Sequence, residues 1–162
     1  MDLQQTFLLD AIDIGILAAL QKQGDLSNVE LGERVHLSAS QCARRLEQLR
    51  RNGYIDRVVT ILRPQMFGLK IMVHTAISLH THELEVNAGF HRFVLEAPEV
   101  LECYAQTGDA DFLLKIIVHD LEELSRFFDR LLSVTGGVAS MRSGVVIKSI
   151  KEETALPLPG MM

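Results

Sequence analysis

The side chains with the greatest chemical reach crowd into one short stretch. Between Ser38 and Arg51 the chain carries Ser38, Ser40, Gln41, Arg44, Arg45, Gln48, Arg50 and Arg51. Hydroxyl, amide and guanidinium groups at this density suit a polyanion better than a reacting carbon. Gln pairs with adenine and Arg with guanine through two hydrogen bonds in the DNA major groove. Further arginines hold phosphates, which sets register without reading sequence. Ser40, Gln41 and Arg44 are expected in the first role, Arg45, Arg50 and Arg51 in the second. Asn28, with the amides after Ser27, offers a phosphate grip at a helix N-terminus. No catalytic set competes with this reading. Cys42 and Cys103 have no recognisable base partner, and no glycine-rich phosphate loop is present. His80 and His82 have no third ligand at suitable spacing, so neither metal nor cofactor is expected.

Charge is segregated in the same way. The 162 residues carry a net charge of −5. Residues 1–33 hold six acids and one base, residues 34–63 seven arginines and two acids, and residues 64–162 thirteen acids and eight bases. One compact basic segment in an acidic chain is the footprint of a localised polyanion site. A solvated basic helix face is the competing reading. The hydrophobic fraction of 48% is too high for disorder. No apolar run reaches membrane-spanning length and no signal peptide is expected. Two cysteines make no disulfide framework, so free thiols in a reducing cytoplasm are expected.

The elements that must position these residues follow from period and punctuation. Asp10 opens a first helix carrying Ile12, Ile16, Leu17 and Leu20 at helical spacing. Ser27 and Glu30 form a capping box for a second helix, Asn28 to about His36. Ser38 and Gln41 form another for a third, Ala39 to Asn52. Two capped helices joined by a short turn predict a helix-turn-helix, whose second helix enters the major groove. Tyr54–Leu62 is β-branched and reads as a strand serving as wing or hinge. Beyond Pro64 and Gly68 the order is strand Ile71–Leu79, helix Glu83–Glu96, strand Val100–Thr107, strand Phe112–His119, a helix from Leu121 ended by Gly136-Gly137, and strand Val138–Ile150. Gly108-Asp109-Ala110-Asp111 joins the middle strands. Asp is common there because its side chain bonds local amides. The expected fold class is α+β. A (winged) helix-turn-helix domain spans 1–55, a linker strand or hinge 56–69, a ferredoxin-like βαββαβ domain 70–152, and a loose tail 153–162. Its open sheet face is expected to be covered by a second subunit.

The chain resembles the Lrp/AsnC (feast/famine) family of bacterial and archaeal transcription regulators over about Leu9 to Pro157. The matching residues are Leu9-Asp10-x-x-Asp13-x-x-Ile16-Leu17, then Leu37-Ser38-x-Ser40-x-Cys42-x-x-Arg45-Leu46-x-x-Leu49-x-x-x-Gly53-Tyr54-Ile55. Pro98-Glu99-Val100-x-x-Cys103-Tyr104-x-x-x-Gly108-Asp109-x-Asp111-Phe112-Leu113-Leu114 follows in the second domain. The resemblance implies a non-enzymatic regulator of double-stranded DNA, in the cytoplasm and associated with the nucleoid. It implies a homodimer that assembles into octamers or higher forms. It also implies an amino-acid or related metabolite effector held between C-terminal domains, with Tyr104, Thr107, Gly108, Asp109 and Asp111 at that site. Two other classes share the layout: a tetrapyrrole-decarboxylase-like enzyme and an effector-independent DNA-organising protein.

Overall fold

The computed structural model of the protein describes residues 9–81, 84–135 and 137–159. The expectations resting on His82, Glu83 and Gly136 lie outside the described residues. The chain forms two compact units, one of the residues up to Ile61 together with those from Lys151 on, the other Leu62–Ile150.

The first unit holds α1 (Ala11–Lys22), α2 (Asn28–Val35) and α3 (Ala39–Arg51). Each is too short to persist alone in water. Each opens with a reciprocal capping box, Asp10/Asp13, Ser27/Glu30 and Ser38/Gln41. In every box the cap oxygen accepts the amide three residues on, and that residue's side chain accepts the cap's own N–H. The apolar faces meet in a core of Ile16, Leu17, Leu26, Leu31, Cys42, Leu46 and Leu49. Close backbone approach sets the turn. A Cβ at Gly32 would lie 2.4 Å from the Leu37 carbonyl oxygen. His36 takes the left-handed conformation, φ 56°, and the Leu37 amide donates to the Gly32 carbonyl at 2.9 Å. Gly15, unfavourable by helix propensity, lets α1 approach α2: its Cβ would lie 3.3 Å from Val35 Cγ1.

Two expectations for this unit need correction. Tyr54–Leu62 forms no strand. It runs extended with Val58, Val59, Ile61 and Leu62 exposed, because β propensity expresses packing on a pleated surface and no neighbouring edge is offered to it among the described residues. The described part of the stretch after residue 153, up to residue 159, is not loose. Leu158 packs against the helical core. The Gln21 side chain pairs with the Leu156 backbone, Nε2 donating to the carbonyl at 3.3 Å and Oε1 accepting the amide at 2.5 Å. Single anchors of this kind leave no periodic pattern to read.

The second unit opens with a one-turn 3-10 helix, Pro64–Phe67. β1 (Ile71–Leu79), α4 (Leu84–Glu96), β2 (Val100–Ala105), β3 (Phe112–Val118), α5 (Leu121–Thr135) and β4 (Val138–Val145) follow. The sheet order is β2-β3-β1-β4 and every pairing is antiparallel, the ferredoxin-like arrangement. Val73, Ile77, Leu114 and Ile116 pack with Phe90, Leu124, Phe127 and Leu131 from the helices. The opposite face carries His74, Glu102, Tyr104 and Lys115. β2 and β4 end sooner than expected: the Gln106 and Val146 amides still donate to the Asp111 and Met72 carbonyls, but the paired ladder goes no further.

Two glycines test this account by thermal unfolding. Gly32→Ala should lose roughly 1–3 kcal/mol, as overpacking does. Gly89→Ala, where an added Cβ on α4 meets nothing within 4 Å, should gain up to about 1 kcal/mol.

Candidate nucleic-acid interface and effector loop

Cys42, Leu46 and Leu49 turn one face of α3 to the core. The other face presents Ser40, Gln41, Arg44, Gln48 and Arg51 to solvent. Asn28 is exposed at the first turn of α2. Two members of the expected set are occupied by capping. Ser38 Oγ donates to Gln41 Oε1 at 2.8 Å, and the same oxygen accepts the Ser38 amide at 3.0 Å. Gln41 therefore keeps only its amide nitrogen for a base edge. Ser40 Oγ lies 3.2 Å from Ser38 Oγ. Arg44, Gln48, Arg50 and Arg51 make no side-chain hydrogen bond or ion pair among the described residues, so their donors remain available to an external acceptor.

Arg45 behaves differently from its neighbours. It was expected on a phosphate, but it bridges two carboxylates of its own unit. Its Nη1 donates to Asp10 Oδ2 at 2.8 Å and to Asp13 Oδ1 at 2.7 Å. Asp13 is buried, its side chain only 3% exposed. The other oxygens of the two acids serve the α1 capping box: Asp10 Oδ1 accepts the Asp13 amide at 2.8 Å and Asp13 Oδ2 accepts the Asp10 amide at 3.3 Å. All four carboxylate oxygens are thus engaged. The Asp13 amide, then the Arg45 guanidinium, hold the Asp10 carboxyl below its ordinary value despite an opposing desolvation effect, and the two acids raise Arg45. A carboxyl depressed in the folded state contributes stability above its unfolded pKa and loses it as pH falls through the folded value. The clamp is therefore intact throughout the neutral range. A signal for it was present in the sequence. Arg45 lies three residues after Cys42 and four before Leu49, beside the apolar stripe rather than opposite it.

In the second unit the hairpin joining β2 to β3 is tied to the end of β1. The Asp111 amide donates to the Ile77 carbonyl at 2.9 Å, and Asp111 Oδ2 accepts the Leu79 amide at 2.8 Å. Ser78 Oγ donates to the Asp109 carbonyl at 3.1 Å. Asp111 thus anchors the loop with the carboxylate expected to meet a ligand. Thr107, Gly108 and Asp109 are exposed at the loop tip, where Gly108 takes φ 123°, a conformation suited to glycine. Tyr104 projects from the open sheet face and donates to Glu102 Oε2 at 3.0 Å. Glu102 Oε1 accepts from Lys115 Nζ at 2.9 Å. Lys115, then Tyr104, lower the Glu102 carboxyl against the effect of burial, while Glu102 raises the Tyr104 hydroxyl. The Cys103 thiol, on the helix side of β2, is pushed up by burial, which makes it a poor nucleophile.

An open cleft of about 930 Å³ lies elsewhere, beside α1, between Leu17, Leu20 and Gln21 and the extended Tyr54–Ile61 segment. Its walls are largely apolar, and of the exposed α3 side chains Arg50 alone borders it among the described residues. Among the described residues, no group of three His, Cys, Asp or Glu is placed to hold a metal ion, and no helix is long and apolar enough to cross a membrane.

Comparison with known proteins supports the division of labour. Residues 9–56 match a family described as winged helix-turn-helix DNA-binding, and residues 72–156 match one described as the Lrp/AsnC ligand binding domain. A glutamate uptake regulatory protein of Zymomonas mobilis is 37% identical over 151 residues, covering 93% of this chain and 92% of its own. The leucine-responsive regulatory protein of Escherichia coli K12 is 35% identical over 148 residues, covering 91% and 90%. A transcriptional regulator from Neisseria meningitidis, solved as a complex with L-Met, superposes with a TM-score of 0.90 at 38% identity, covering 96% of this chain and all of its own. These relatives are regulators, which sets the enzyme alternative aside.

The loop anchor can be tested in the absence of any ligand. Asp111→Ala should destabilise the protein by about 1–2 kcal/mol in thermal unfolding, the range for a lost hydrogen bond that leaves an amide unsatisfied. Asp111→Asn, which keeps an acceptor, should lose less, and Asp109→Ala should stay within about 0.5 kcal/mol of the parent.

Proposed function

The chain belongs to the Lrp/AsnC family of transcriptional regulators, and we propose that its α3 reads a specific duplex site while the C-terminal unit binds an amino acid or closely related metabolite. The observation that carries this reading is the solvent face of α3. Arg44, Gln48 and Arg51 stand together there with donors uncommitted, beside Ser40 and a capped N-terminus. That combination serves a major groove edged by phosphates. In this reading Arg44 is the base-reading guanidinium, while Arg50 and Arg51 neutralise phosphates.

The effector class follows from the loop and the relatives. The Neisseria regulator was solved with L-Met, and two curated relatives are named for responses to leucine and to glutamate uptake. An amino acid presents one ammonium and one carboxylate. Asp109 suits the first and the amides at Thr107 and Gly108 suit the second, with Tyr104 close by. Asp111 supports this site by holding the loop rather than by contact.

A homodimer is the assembly this reading requires. The sheet face bearing His74, Tyr104 and Lys115 has no covering layer in its own unit, and Val58, Val59, Ile61 and Leu62 stand exposed on an extended stretch. Both suit a second copy. Octamers or higher forms, cytoplasmic location and nucleoid association belong to the same proposal. Effector binding would shift the population among assemblies that present α3 at different spacings.

Selection of duplexes from a random library by the purified protein tests the DNA half. One sequence class should be enriched, and Arg44→Ala should bind it about tenfold or more weakly, as loss of a paired base contact does. Binding of all sequences alike would instead favour a DNA-organising role. Titration of L-Met, L-Leu and L-Glu tests the effector half. One of them should raise the unfolding temperature and change affinity for the selected duplex by about 5-fold or more. No response to any of the three would refute the effector assignment for these ligands.

A further inference from the structure

The geometry points to Arg45 as the positioning residue of the recognition helix: it sets the angle of α3 through the Asp10–Asp13 cap of α1 and does not itself contact DNA. The inference rests on the reading of α3 as the groove-entering helix. Three observations carry it.

The first is that the guanidinium is held by one of its nitrogens. Nη1 spans both carboxylates at 2.7 and 2.8 Å, and Nη2 and Nε carry the remaining donors. Swinging the whole group out to the phosphates would strip a buried acid of its partner, and an uncompensated buried carboxylate is strongly unfavourable. Arg44, Arg50 and Arg51, on the same helix, face no such conflict.

The second is that the acids are rigid. Asp10 and Asp13 hold each other through the reciprocal cap of α1. Their four oxygens are shared between two backbone amides and one guanidinium. The acceptor is therefore a fixed feature of the α1 N-terminus, unlike a mobile surface carboxylate. An ion pair to a fixed acceptor specifies direction, which a surface pair between two long side chains does not.

The third is the position of Arg45 on α3. Cys42, Leu46 and Leu49 are apolar contacts that resist separation of the helices, and hydrophobic attraction by itself is non-directional. Arg45 lies at the edge of that stripe, where a directional bond opposes rotation of α3 about its own axis. Such a rotation would carry Arg44 and Gln48 across the groove. A base contact depends on hydrogen-bond geometry and is lost with a small angular error, whereas phosphate attraction is not. The clamp should therefore control selectivity more than total affinity.

Two variants separate positioning from phosphate contact. The probes are the duplex class enriched by the wild-type protein and a shuffled duplex of the same composition, with the salt dependence of binding measured on both. Arg45→Gln and Asp13→Asn should each lower the ratio of affinities about tenfold, the equivalent of one paired base contact. The salt slope should stay unchanged, and the double variant should be no worse than the worse single. Asp13→Asn is the decisive case. Removing a negative charge from a DNA-binding unit favours DNA electrostatically, so a loss of selectivity reports geometry alone. Arg45→Lys should recover part of the ratio. Circular dichroism and melting confirm that each variant is folded at the assay temperature. Should Asp13→Asn fail to fold, the half-exposed Asp10→Asn replaces it with the same expectation. The inference is overturned if Arg45→Gln weakens both duplexes equally and flattens the salt slope by about one ion, as a lost phosphate contact does. It is overturned equally if the aspartate variant keeps the wild-type ratio. A wild-type protein that enriches no duplex overturns the reading of α3 and this inference together, so the two failures are told apart by the wild type.

Discussion

A single buried carboxylate constrains the whole DNA-binding unit. Asp13 sits almost wholly out of solvent beside an apolar core of seven side chains. A charge in that place is tolerated only when it is paired and fully hydrogen-bonded. The two partners that satisfy it come from different levels of structure. The Asp10 amide belongs to the cap of the same helix, while Arg45 arrives from α3. One solution therefore joins helix initiation to helix packing. The three helices are short, with caps at every N-terminus, and little else in so small a core distinguishes one angle from another. Gly32 and Gly15 add the complementary steric limits, since a side chain at either would strain the close approaches that the clamp assumes.

The second unit solves a different problem. Its four strands and two helices bury one sheet face and leave the other without a layer. On that open face the side chains are not random polar residues. Glu102 accepts from both Lys115 and Tyr104, so the Glu102 and Lys115 charges already offset each other within the sheet. A balanced polar row can be covered by another surface at less desolvation cost than isolated charges can. This favours the proposed self-association over an exposed face. The hairpin beside it is equally constrained. Through Asp111 and Ser78 it is fastened to the end of β1, which would hold the groups of the proposed ligand site, Asp109 and the Gly108 amide, in a defined orientation. A ligand site gains affinity from preorganisation of this kind. The same tie links loop movement to the strand at the centre of the sheet, a route by which occupancy could bias assembly.

Much of this was legible in the sequence because it is local. Two of the three capping boxes, the turn before Ser38, the extent of β1 and the helical stripe through Phe127 follow from residues a few positions apart or from period. The failures were all non-local. Tyr54–Leu62 has the composition of a strand, but composition cannot supply an edge to pair with. The last residues have no period, yet Leu156 and Leu158 find α1 through individual contacts. Among the site residues, Ser40, Arg44, Gln48 and Arg51 lie on the solvent face as the helical period requires. Ser38 and Gln41 are partly spent on the cap that announced them.

By itself the sequence determined where helices and strands begin, which faces are apolar, where basic charge gathers, and which family the chain resembles. Each of these is written in neighbouring residues or in their repeat. Only the tertiary structure decided which partners within the fold Arg45 and Asp111 take. Both carry charges that a linear reading assigns outward, to phosphate and to ligand. Both turn inward, because a buried carboxylate 32 residues from Arg45 and a strand-end amide 32 residues from Asp111 needed partners there. Hydrogen-bond satisfaction in a closed interior is a property of the assembled fold, and no local pattern specifies which distant group will supply it.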